Sequence, residues 1–236
     1  MYKPETVASA VKKLDERITA YRRLISVRGI DAVKLSISEG NKKIGRVLNV
    51  SLAPIITCPN CAQCARYCYD IKAVMAYPSC LDARARNTAI MQSDLDYFFG
   101  QITRRLARYR KNYMRWHVSG DITSPEYLAG MIHIADIFPA KQFWTYTKSY
   151  HLVNAYVATH GGARECAIPA NLSIMYSPWS GLPMDNPYGF PTFSAVLTSK
   201  GEKPNPRIHM CPGNCQTCIQ SGTGCPFGQS SQALEH

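Results

Sequence analysis

Eight of the ten cysteines in this chain fall into two short runs, and any fold it adopts must bend each run tightly. The first is Cys58-Pro-Asn-Cys61-Ala-Gln-Cys64-Ala-Arg-Tyr-Cys68, a C-x₂-C-x₂-C-x₃-C pattern. The second is Cys211-Pro-Gly-Asn-Cys215-Gln-Thr-Cys218, followed by Cys225-Pro226. Thiols two or three residues apart can meet at one centre when the loop turns sharply, and Pro59, Pro212 and Gly213 favour such turns. With 236 residues the chain can bury a core without cross-links, so disulfide stapling does not explain these cysteines. Met1-Tyr2-Lys3-Pro4-Glu5 leads into a charged segment rather than an apolar signal core, which points to a reducing cytoplasm. There, grouped cysteines bind metal more often than they pair. No apolar run is long enough for a transmembrane helix, so no membrane partner is expected.

The spacing of the first run matches the ferredoxin pattern for a [4Fe–4S] cluster. In two-cluster ferredoxins the last cysteine of such a run serves the other cluster. One or two [4Fe–4S] clusters are therefore expected on Cys58, Cys61, Cys64, Cys68, Cys211, Cys215, Cys218 and Cys225, without assignment cluster by cluster. Structural zinc is the alternative, since C-x₂-C pairs are its common signature. Against zinc stand four cysteines within eleven residues and the scarcity of histidine at ligand spacing. Cys211-x₃-Cys215-x₂-Cys218 also has the spacing of radical S-adenosylmethionine (SAM) enzymes, whose three cysteines leave one iron open for SAM. The position near the C-terminus and the presence of Cys225 argue against an ordinary enzyme of that kind and leave a rearranged relative open. Cys80 and Cys166 stand alone and read as buried apolar thiols.

Between the runs the rhythm is strand, loop, helix. An amphipathic helix is predicted over 5–27, with Val7, Val11, Leu14, Ile18, Tyr21 and Ile25 on one face and Gly29 as its stop. Strands are predicted over 33–38, 46–53, 113–119, 142–147, 171–176 and 192–197, and helices over 80–93, 94–112, 125–137 and 150–160. This pattern implies parallel βαβ units, forming either an incomplete β/α barrel or a doubly wound sheet with cysteine-rich loops. Residues 1–30 form the N-terminal helix and 31–230 one α/β domain with cysteine clusters at 58–68 and 211–225. Leu234-Glu235-His236 (234–236) reads as the scar of an expression tag. In parallel α/β folds ligands gather at the C-terminal ends of the strands. That rule selects Ser119, Gly120 and Asp121, then Thr147 and Lys148, then Ser177 and Trp179.

Several stretches together carry a resemblance: Leu52-Ala-Pro-Ile-Ile-Thr-Cys58-Pro, Cys64-Ala-Arg-Tyr-Cys68-Tyr, Arg115-Trp-His-Val-Ser-Gly-Asp121, Phe143-Trp-Thr-Tyr-Thr-Lys148 and Cys211-Pro with its following cysteines. They resemble the bacteriophage proteins known as gene product 88-like, over most of residues 45–226. The resemblance implies phage origin, a host-cell cytoplasm and a cysteine-bound centre facing an α/β core, and it supplies no reaction. Cys61 is an addition to that family's first cysteine pattern.

Arg115, His117 and Ser119 alternate, so they are expected on one strand face that ends at Asp121, with Lys148 joining from the next strand. Such a polar face suits either a small-molecule pocket containing the candidate catalytic residues Arg115, His117, Ser119, Asp121 and Lys148, or a satisfied buried network. Tyr67, Tyr69 and Tyr77 near the first run are expected as shielding and core. The leading expectation is an iron–sulfur protein acting in redox chemistry or electron transfer, with an electron donor or acceptor protein as partner. A second comes from the net charge of +11 and from Lys12, Lys13, Arg17, Arg22 and Arg23, then Arg104, Arg105, Arg108, Arg110 and Lys111. These would suit a basic nucleic-acid-binding protein whose metal only staples loops. A degenerate or rearranged radical SAM-like enzyme is the third.

Overall fold

The computed structural model describes residues 1–41 and 44–234. Of the tag-like end, Glu235 and His236 lie outside them. Helix α1 (Pro4–Arg28) opens on proline in its first turn and ends at Gly29, whose φ of 79° lets its N–H return to the Ile25 carbonyl. Ala10, Leu14 and Ile18 repeat every four residues and are its buried stripe. Strand β1 (Ile37–Ser38) is shorter than the predicted 33–38. At Ser36 the backbone N–H is taken by the Asn87 side-chain oxygen (2.7 Å) and the carbonyl by its Nδ2 (2.8 Å), which leaves nothing for a ladder.

Strand β2 (Leu48–Val50) leads to the first cysteine run, then to α2 (Tyr69–Ala76), α3 (Pro78–Ser93) and α4 (Leu95–Arg108). Pro78 starts α3, and Asp94 separates it from α4 by accepting the Tyr97 N–H at 2.8 Å. Then come β3 (Tyr113–Trp116), α5 (Pro125–Ile137), β4 (Gln142–Thr147), α6 (Tyr150–Thr159), α7 (Arg164–Ala167) and β5 (Leu172–Tyr176). Among the described residues these five strands form one open sheet in chain order, with β1 antiparallel at the edge and β2 to β5 parallel. A doubly wound sheet reverses its strand order at a switch point. Here the order never reverses, so right-handed crossovers put the helices on one face, as in a barrel left unclosed.

The two faces are read directly from the register. Leu48, Met114, Phe143 and Leu172 align across the sheet and join Val50, Trp116 and Ile174 in the main core with Phe98, Ile102, Leu128, Met131 and Val153 of the helices. Each such buried side chain contributes roughly 1.5–3 kcal/mol. The alternate residues, Asn49, Arg115, Trp144 and Ser173, form the row on the other face. That face is covered by the chain after β6 (Phe193–Val196), which forms β7 (His209–Met210), α8 (Cys215–Ser221) and β8 (Ser231–Leu234). Strands β6, β8 and β7 make a small parallel sheet of their own. Val47, Trp144, Met175 and Cys225 form the core between the layers, and Ser173 Oγ donates to the Pro226 carbonyl at 3.1 Å. Beyond residue 200 no strand or helix is predicted from the sequence, because short glycine- and cysteine-rich segments carry no periodicity.

Candidate metal centre

The first cysteine run leaves the C-terminal end of β2 through a strained turn in which Ile55, a β-branched residue, takes φ 70°. Thr57 fixes the turn: its hydroxyl donates to the Ala53 carbonyl (2.7 Å), and its carbonyl accepts the Asp121 N–H (3.1 Å). The β3–α5 loop presses so close that a Cβ on Gly120 would lie 2.7 Å from Leu52 Cβ and 2.8 Å from Thr57 Oγ1. From Cys58 the backbone winds through successive turns, Cys61 N–H to Cys58 carbonyl and Ala65 N–H to Cys61 carbonyl, until Cys68 opens α2. The thiols stay within electrostatic reach of one another in series. Burial first, then Asp121, Cys68 and Cys61 among its charged neighbours, holds the Cys58 thiol well above its ordinary range. Burial likewise pushes Cys68 up to about 11, with Asp70 and Cys64 adding to it.

Under this run the C-terminal ends of the parallel strands meet. The buried Asp121 carboxylate accepts from Thr147 Oγ1 (2.6 Å), Lys148 N (2.8 Å) and Ile122 N (2.7 Å). Burial raises its pKa, and those three donors oppose the rise. Lys148 Nζ donates to Ser177 Oγ at 3.1 Å and sits 5.4 Å above the Trp179 ring, which in turn packs on Tyr67 at 5.5 Å. Asn60, between the first two cysteines, donates to the Lys148 carbonyl at 2.9 Å. Asp121 and Lys148 are thereby brought beside Cys58, while Arg115, His117 and Ser119 are not.

The expected shared face of Arg115, His117 and Ser119 is not what forms. His117 has φ 52°, so β3 ends at Trp116 and the alternation fails one residue later. Trp116 and His117 are both buried among the helices, the ring lying 3.0 Å from Thr145 Oγ1 and 2.9 Å from the Tyr127 hydroxyl. Ser119 is buried and its carbonyl accepts from Leu52 N at 2.9 Å, while Arg115 points to the opposite face.

That opposite face carries the second run. Cys211 N–H pairs with the Gln232 carbonyl (2.7 Å), Asn214 caps α8 through the Gln216 N–H (2.8 Å), and Gly222 ends the helix in the left-handed region. Burial pushes the Cys218 thiol up to about 11, and Cys211, Cys225 and Cys215 add to it. Burial also pushes the Cys215 thiol up, and the nearby Arg115 charge opposes the rise. Cys225 is buried against Trp144 and Met175 beside Tyr146, and the Ser231 hydroxyl donates to the Gln229 carbonyl at 2.9 Å. Cys218 lies 3.6 Å from His209 Nε2, and a Cβ on Gly224 would come within 2.9 Å of the Cys218 sulfur.

The donor chemistry of both runs, four thiols each, is that of a thiolate-held centre, and Gly224 stands where a side chain would meet the Cys218 sulfur. Among the described residues no three Cys, His, Asp or Glu side chains close tightly around one point as a single metal ion needs. A tetrahedral zinc site draws its sulfurs to about 3.8 Å from one another. A cluster lets each thiolate bind a different iron and spreads them further.

Sequence reasoning missed His209, Tyr146 and Ser231. Nothing in their spacing marks them, since Tyr146 comes from the large sheet and His209 and Ser231 from the two short strands β7 and β8 that no periodicity predicts. Two further expectations are corrected. Cys166 is exposed rather than buried, because α7 lies on the surface after the Gly161-Gly162 turn. Tyr67, Tyr69 and Tyr77 are also exposed, flanking the first run from outside; Tyr69 uses its hydroxyl to reach the Val118 carbonyl.

A family model described as gene product 88 matches residues 27–181. The chain belongs to that family. The match spans β1 to β5 and includes the first cysteine run, so the gene product 88 unit contains the strand-end site and stops before the second run. No curated protein and no solved structure matches, and the radical SAM-type spacing finds no support in these comparisons. No helix among the described residues is long and apolar enough to cross a membrane.

Proposed function

We propose that the protein binds a [4Fe–4S] cluster at each of its two four-cysteine groups and acts in redox chemistry or electron transfer, with a donor or acceptor protein as partner. One observation supports this reading: Cys215 and Cys225 pack with Tyr146 under the sheet on the face from which Arg115 projects, and Cys218 of the same run lies in the same layer, 3.6 Å from His209 Nε2. When bound, a cluster supplies one-electron chemistry. The chain's own part is to ligate through Cys58, Cys61, Cys64 and Cys68 in one group and the other four in the second. Burial of Cys218 and Cys225 keeps water away, and the nearby Arg115 charge offsets the negative charge of the second group's sulfurs. Asp121 and Lys148 hold the strand ends together beneath the first group.

Purification without oxygen, followed by iron and acid-labile sulfide analysis and paramagnetic resonance of the reduced protein, tests the proposal. About four irons and four sulfides per group are expected. A colourless protein that retains stoichiometric zinc after attempted reconstitution would overturn it.

A second reading keeps zinc at the second group, favoured by His209 beside Cys218. A third takes the charge as primary: Lys12, Lys13, Arg17, Arg22 and Arg23 on α1 and Arg104 and Arg108 on α4 are exposed. Binding to DNA or RNA that weakens steeply with salt would support it, and absence of binding at low salt would end it.

A further inference from the structure

We propose that Arg115 is the fixed counter-charge of the second cysteine group and sets the redox potential of the centre held there. This inference rests on the reading that Cys211, Cys215, Cys218 and Cys225 hold an iron–sulfur cluster.

Arg115 lies mid-sheet, in register with Asn49 on β2 and Trp144 on β4. It projects to the face away from the crossover helices. A cation there needs an anion, because burial in a poorly polarisable interior disfavours an isolated charge. The ion pairs among the described residues use Lys12, Arg84, Arg86, Arg105 and Arg164, and none uses Arg115. Its Nε is sealed from solvent and has no partner. The guanidinium lies 4.7 Å from the centre of the Tyr146 ring; Tyr146 packs with Cys215 and Cys225 in the core on this face, and both thiols and Tyr69 are its electrostatic neighbours. With neutral thiols this half-buried cation has no counter-ion among the described residues. With four thiolates on a [4Fe–4S] core of two positive charges, the centre carries two negative charges, and three after accepting one electron. Arg115 then faces the anion it otherwise lacks.

The sign of the effect follows. A fixed positive charge beside the sulfurs stabilises the more negative, reduced form and raises the potential. At the first group the neighbouring cation is Lys148, whose Nζ donates to Ser177 Oγ rather than to a sulfur. That group's nearest link to Arg115 is Tyr69, the residue after Cys68, so its potential responds less.

The test uses the full chain, purified and reconstituted without oxygen. Iron and sulfide content and a redox titration followed by paramagnetic resonance are compared for wild type, Arg115→Met and Arg115→Lys. A Cys218→Ser chain identifies which signal belongs to the second group. The expected result is a shift of that signal to lower potential in Arg115→Met, a smaller or no shift of the other signal, and recovery of most of the wild-type potential in Arg115→Lys. Loss of the second group's iron in Arg115→Met but not in Arg115→Lys also supports a role for the charge. The inference is overturned if Arg115→Met keeps its cluster at an unchanged potential, or if Arg115→Lys shifts or loses it as Arg115→Met does, since the guanidinium would then matter only for packing. A wild-type chain without iron and sulfide removes the parent reading as well, so the two failures are told apart.

Discussion

At the end of β3 one histidine shows how far a single backbone angle reaches. With φ 52°, His117 turns its ring into the helix-side core, where both nitrogens meet hydroxyls, those of Thr145 and Tyr127. Burial, with Arg115 second, lowers its pKa from 6.5 to about 3. The folded protein therefore keeps this ring neutral at pH values where the unfolded chain binds a proton. Stability is unaffected above 6.5 and falls as pH drops from 6.5 towards 3, by up to about 1.4 kcal/mol per unit. His117→Asn, a residue that tolerates positive φ, should be less stable at pH 7 yet show a flatter decline between pH 6.5 and 4. Urea titrations at the two pH values measure this. Equal slopes in the two proteins would mean that the ring is protonated in the native state or that other groups dominate. The alternation Arg115, His117, Ser119 was visible in the sequence, but the angle that breaks it was not, because histidine carries no signal for φ > 0 as glycine does.

The elements were easier to read than their partners. The spacing of Leu14 and Ile18 and the helices predicted over 80–93 and 125–137 place α1, α3 and α5 within a few residues of the structure, since helical signals act locally. What packs on what is decided elsewhere. Helix α2, just after Cys68, is tied to α3 by a buried ion pair, Asp70 accepting from Arg84 Nε at 3.1 Å and from its Nη2 at 3.2 Å. The carboxylate is almost wholly buried, so removing its cation leaves an unpaired charge. Arg84→Met should cost about 3 kcal/mol in chemical unfolding, and Arg84→Met with Asp70→Asn distinctly less. If the single and double variants are equally destabilised, the pair contributes packing rather than charge balance. A weakened pair would also loosen the start of α2, which is where the first cysteine run ends.

Across the whole molecule, two layers of different robustness share one sheet. The helix-side layer has the large apolar core, with Leu48, Met114, Phe143 and Ile174 facing Phe98, Ile102, Met131 and Val153. The other layer rests on Val47, Trp144, Met175 and Cys225, and its strands β7 and β8 are short. The gene product 88 match also ends before it begins, at residue 181. Its first strand, predicted over 192–197, and the spacing of its cysteines were legible in sequence; its seat beneath the sheet was not, because that depends on a register spanning Asn49, Arg115, Trp144 and Ser173. Such a thin layer has few apolar contacts with which to resist local opening, so a bound centre would contribute much of its stability. Stripping metal from the reconstituted protein with a chelator under anaerobic conditions should therefore raise amide hydrogen exchange over residues 205–234 on the order of a hundredfold, about 3 kcal/mol of local opening. Strands β3 to β5 should keep their protection, because their ladder and helix-side packing do not involve the thiols. Loss of protection across both layers together would instead make the second cysteine group a keystone of the entire fold, and an unchanged pattern would mean that the layer holds itself in place without metal.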